Sequence, residues 1–62
     1  MSAIVYVTDG PQGGAGYFRC DKNGVPQITN RRHAERFVDA RGASGMVELL
    51  SGMNWSAEVQ EV

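Results

Sequence analysis

The residues of this 62-residue chain that could do chemistry are chiefly its arginines. Arg31, Arg32, His33 and Arg36 fall within six positions of one another, and Arg19 and Lys22 precede them. A guanidinium presents a planar fork of donors that pairs with carboxylate or phosphate, so a cluster of them reads as a surface for an acidic partner. Arg32 and Arg36, four apart, share one side of a helix, with Arg31 and His33 on its flanks. The competing reading is a solvated face on which Glu35 neutralises Arg32 and Asp39 neutralises Arg36. Arg19, Lys22, Arg31, Arg32 and Arg36 are therefore the expected partner contacts.

A second stretch, DGPQGGAGYF at residues 9–18, holds four of the chain's eight glycines. A phosphate-binding loop of the Walker type needs a lysine and a hydroxyl after its last glycine, and here Gly16 is followed by Tyr17 and Phe18. The dinucleotide fingerprint needs a glycine where Arg19 stands and a helix next, whereas a strand is expected there. The stretch is expected to be a turn, with partner contact as its alternative role. His33 is the only histidine and Cys20 the only cysteine. Neither sits in a pattern that supplies nucleophile, base and orienting group. With about four ligands needed for zinc, no metal, cofactor or catalytic residue is expected, and the protein is read as a non-enzyme.

These residues need elements to position them. Ala3–Thr8 is β-branched or aromatic at most positions and stops at Asp9-Gly10-Pro11, which predicts a strand. Tyr17–Asp21 and Val25–Thr29 read as two more, joined by an Asn23-Gly24 turn that requires positive φ. Pro26 places the third strand at an edge. Over Asn30–Arg41 the spacing of Ala34, Phe37, Val38 and Arg41 predicts an amphipathic helix, begun by Thr29 or Asn30 and ended by Gly42. Met46–Leu50 reads as a strand, Ser51–Asn54 as a turn and Trp55–Val59 as a half-buried final strand. The expected fold is a single α+β domain over residues 1–62, a largely antiparallel sheet of order βββαββ with one helix packed on it. Its core is expected from Ile4 or Val5, Phe18, Ile28, Ala34, Phe37, Val38, Val47, Leu49, Trp55 and Val59.

The segment GYFRCDKNGVPQITNRRHAERF, residues 16–37, loosely resembles the arm-type DNA-binding domain of phage integrases. In that family a small three-stranded sheet packs on a helix and enters the major groove. The likeness rests on the turn glycine and on an alanine and an aromatic in the helix, and it implies a nucleic-acid partner for the hairpin. The chain departs from the family in having only Arg19 and Lys22 as bases on the hairpin, and its acidic C-terminal strands have no counterpart.

Apolar residues at 42% and charged residues at 21% describe a chain that folds rather than one that stays disordered. At this length a domain buries only about 60% of the surface of its unfolded chain, which favours a flat binding surface over a deep pocket. A lone cysteine forms no internal disulfide, and Ala3–Val7 is far shorter than a signal or membrane-spanning segment. A cytoplasmic protein without membrane attachment is expected. The net charge is −1, yet residues 19–41 carry all six bases against three acids, and residues 42–62 carry three glutamates and no base. The leading expectation is a small protein-binding module, of the size that phages and other mobile elements use to inhibit a host machine by covering its working surface. Its partner is then a larger protein or complex. The alternative is a nucleic-acid-binding domain using the basic helix face and hairpin. A monomer is expected, with a dimer allowed through an open sheet edge.

Overall fold

The β-branched run Ala3–Asp9 forms β1, the strand around which everything else is arranged. The computed structural model describes residues 2–10 and 14–62. Gly16–Cys20 (β2), Pro26–Thr29 (β3) and Ser56–Glu61 (β4) complete an antiparallel sheet of order β3-β2-β1-β4. Successive side chains of β1 point to opposite faces. Ala3, Val5 and Val7 are buried on one face together with Phe18, Ala43, Leu50 and Trp55. Ile4 is only 2% exposed but stands outside this cluster, on the other face.

The one α-helix among the described residues is α1, Ala40–Ser51, and it lies across β4 and β1. Its start is fixed by Asp39, whose carboxylate accepts from the Gly42 N–H at 3.0 Å. Ala43, Met46, Val47 and Leu50 repeat at i, i+3, i+4 and i+7 and face the sheet. The helix expected over Asn30–Arg41 therefore lies ten residues further along the chain, and Met46–Leu50 is helix, not strand. Two placements fall with it. Val38 is 88% exposed and Leu49 65% exposed, so neither belongs to the core. Gly42 sits in the first turn of the helix and does not end it. The element order is βββαβ.

What occupies residues 30–39 is a short 3-10 turn, Arg31–His33, followed by extended chain. Asn30 does act as a cap, but for this turn: its side chain accepts from the His33 N–H at 3.1 Å. The Glu35 N–H then donates to Phe18 O at 2.9 Å, and Phe37 exchanges bonds of 2.8 and 3.0 Å with Ala3. β1 and β2 are paired only at Tyr6↔Tyr17 and Val7↔Gly16. Beyond those pairs they splay, and Ala34–Phe37 fills the gap. Phe37 stacks on Phe18 with ring centroids 6.3 Å apart, which fixes the segment against the core.

The hairpin turn forms at the expected place. Gly24 has φ 80°, and the Asp21 carboxylate organises the loop by accepting from the Asn23 and Val25 N–H groups at 2.8 and 2.9 Å. Of the glycine stretch, Pro11, Gln12 and Gly13 lie outside the described residues. Its described ends are closed by a 2.7 Å bond from Gly10 N to Gly14 O. Gly10 and Gly16 both lie against Ile28, and a Cβ on either would come within 2.6 Å of it. Close packing, as well as turning, requires glycine there.

Candidate functional site

The turn at Arg31–His33 returns the chain beside β2, and this is what assembles the basic residues. Arg19 follows Phe18 in β2 and so points away from the core, to the face that α1 leaves open. Arg19, Arg32, His33 and Arg36 line one shallow concavity of about 400 Å³ that also holds Glu35. Arg19 and His33 also line a second, about 600 Å³, with Lys22, Asp21, Gln27 and Thr29. Of the five expected contacts, Arg19, Lys22, Arg32 and Arg36 thus converge on one continuous surface. Arg31 is exposed in the same 3-10 turn and lines neither hollow.

Arg32 and Arg36 come together through extended chain and not through a shared helix face. The neutralising pairs expected on a solvated helix lose their geometry for the same reason. Asp39 is engaged in capping α1, and the Arg36 guanidinium donates to the Ser2 hydroxyl at 3.4 Å. The Asp21 carboxylate is held by the hairpin amides and by the Gln27 side chain at 3.1 Å.

The open face beside this surface carries two tyrosines that composition alone did not single out. Tyr6 and Tyr17 are cross-strand partners and meet edge to face, with centroids 5.0 Å apart. The Tyr17 hydroxyl donates to Gln60 Oε1 at 3.4 Å. Gln60 is the partner of Ile4, so the Tyr17 ring crosses β1 over Ile4 and accounts for its burial. The signal for this face was the alternation within β1 and β2, with Ile4, Tyr6, Tyr17 and Arg19 all out of phase with Val5, Val7 and Phe18.

Cys20 lies on the core side of β2, partly buried. Burial first, and then the charges of Glu35 and Asp21, push its thiol pKa up, which disfavours the reactive thiolate. Among the described residues no group of three or more His, Cys, Asp or Glu is placed to hold a metal ion. No helix among them is long and apolar enough to cross a membrane.

No family model, curated protein or solved structure matches this chain. The likeness of residues 16–37 to integrase arm-type domains loses its helical half, because Arg31–His33 is a 3-10 turn and Ala34 is extended.

Proposed function

We propose that this chain is a non-enzymatic binding module that docks on the acidic surface of a larger protein through Arg19, Lys22, Arg32 and Arg36. The observation that supports it is the convergence of β2 and the Arg31–Arg36 segment, which makes Arg19 and His33 common to both concavities. Arginines held from two separate elements form a surface of fixed spacing, suited to bidentate pairing with carboxylates. Both hollows are shallow, so the contact covers a partner's surface and does not enclose a ligand.

A protein surface fits better than a nucleic acid because each hollow contains a carboxylate, Glu35 in one and Asp21 in the other. A phosphate polyanion is repelled by such interruptions, whereas a protein surface of mixed charge can match them. The net charge of −1 also lacks the basic footprint of a nucleic-acid-binding domain.

The test is capture from lysate, with and without nuclease, on the parent protein and on the Arg19→Ala/Arg32→Ala/Arg36→Ala variant. Direct titration with duplex DNA and single-stranded RNA at two salt concentrations runs beside it. A nuclease-resistant protein partner lost with the triple variant is expected, with one of the single substitutions costing about 2 kcal/mol or more and the others little. Uniform losses on every nucleic acid, with a shallower salt dependence, support the nucleic-acid reading instead. Capture unaffected by the triple variant removes this surface from consideration.

A further inference from the structure

The two edges of the sheet are unequal. In an antiparallel ladder, facing residues alternate between pairs that exchange hydrogen bonds and pairs whose backbone groups point away from each other. Ala3 gives both its bonds to Phe37, so Ala3↔Glu61 is a pair of the second kind. By alternation Val5↔Val59 and Val7↔Ala57 are too. The bond from Val62 N to Ser2 O, 2.9 Å, has the same phase. The N–H and C=O groups of Ala57, Val59 and Glu61 therefore point out of the sheet, with no backbone partner among the described residues.

At the opposite edge, the bond from Asp21 N to Val25 O sets the phase that turns Pro26 and Ile28 outward. Pro26 has no N–H, so Ile28 supplies the edge's one donor. Proline blunts the β3 edge, and β4 has no comparable protection.

We infer that β4 pairs with β4 of a second copy of this chain, antiparallel about a two-fold axis at Val59, joining two sheets into one. The outward residues 57, 59 and 61 are spaced symmetrically about that axis. Val59 exchanges bonds with Val59 of the second copy, and Ala57 with Glu61 of the second copy, so every outward donor meets an acceptor. The register sets Glu58 opposite Gln60, not opposite another glutamate. Gln60 Oε1 already accepts from Tyr17, which leaves its amide nitrogen to donate to the facing carboxylate. Gly42 lies against Phe37 on one flank of α1, so the opposite, exposed flank, which carries the small residues Ala40, Ser44 and Ser51 with Glu48 between the last two, is turned toward the β4 edge. Pairing of β4 with β3 of another copy would lack the donor at Pro26 and would propagate without closing. The two-fold arrangement closes.

The experiment is sedimentation equilibrium from micromolar to millimolar concentration, with charge-reversed partners at Gln60. Gln60→Lys should tighten the dimer and Gln60→Glu weaken it, each by about two- to thirtyfold, since each change acts at two symmetry-related cross-strand pairs. Gln60→Glu keeps an acceptor for the Tyr17 hydroxyl and Gln60→Lys loses it, so urea unfolding of each variant is measured alongside to separate effects on the fold from effects on association. In a Cys20→Ser background, Val59→Cys should crosslink on mild oxidation, because facing Cα atoms at a bonded pair are about 5.5 Å apart, within disulfide range. Glu61→Cys should not, because in this register it faces Ala57. A parent protein that stays monomeric at millimolar concentration overturns the inference. So does a dimer indifferent to the sign of charge at residue 60, or crosslinking at residue 61 as rapid as at residue 59.

Discussion

A methyl group added to Gly10 would lie 2.6 Å from Ile28 Cδ1, and 3.3 Å from both Val7 Cγ1 and Gly14 O. Gly10→Ala therefore overpacks the site, at a cost of about 1–3 kcal/mol. Ile28→Val deletes the clashing Cδ1 and alone costs about 0.5–1.5 kcal/mol. Combined, the new methyl enters the space that Cδ1 left, and the remaining contacts need shifts of only a few tenths of an ångström. The double variant should match Ile28→Val to within about 0.5 kcal/mol, giving a coupling of about 1–3 kcal/mol, the whole cost of Gly10→Ala, between the two positions. Urea unfolding of the four proteins, followed by Trp55 fluorescence, measures this. Gly16→Ala is the built-in contrast: its clash is with Ile28 Cγ2, at 2.4 Å, and valine keeps that atom. It should stay destabilised in the Ile28→Val background. Costs of Gly10→Ala and Ile28→Val that simply add would refute the argument that Ile28 is what requires glycine at position 10.

Trp55 is 8% exposed and belongs to the buried cluster, so Trp55→Ala should cost about 3–5 kcal/mol, a large share of the stability of so small a domain. A melting temperature within a few degrees of the parent would show that its burial contributes little. Gly45 lies inside α1 at an exposed position where an added Cβ meets nothing within 4 Å. Gly45→Ala should stabilise the protein by about 0.8–1.0 kcal/mol and raise the melting temperature by about 4–8 °C, while a fall would speak against helix at that position.

The strands were legible because their signals are local. A β-branched and aromatic run ending at Asp9-Gly10-Pro11 marked β1, alternation marked β4, and Asn23-Gly24 marked the hairpin that brings Arg19 opposite Gln27. The helix was not, because two amphipathic patterns compete. Ala34, Phe37 and Val38 have helical spacing, but Phe37 is held by strand-like bonds to Ala3 and Val38 points to solvent. The true helix contains Gly42, Ser44 and Gly45, all weak helix formers, so its start resembled a turn. Its readable signal was Asp39, three residues before the amide that it caps. The basic surface was anticipated as a set of residues and not as a geometry: Arg32 and Arg36 do share a surface, but the helix that was to align them is absent.

The bonds from Glu35 to Phe18 and between Phe37 and Ala3 suspend the arginine-bearing segment between strands that lie far from it along the chain. Assembly of the binding surface is thereby tied to the order of folding. Distant contacts form only after the intervening loops have closed, so the surface comes into being late, when the first strand, the hairpin and the linking segment have all met. A peptide of residues 16–41 would hold every lysine and arginine of the protein but only one of the two anchors, the bond from Glu35 to Phe18, and would lose the pair of bonds to Ala3.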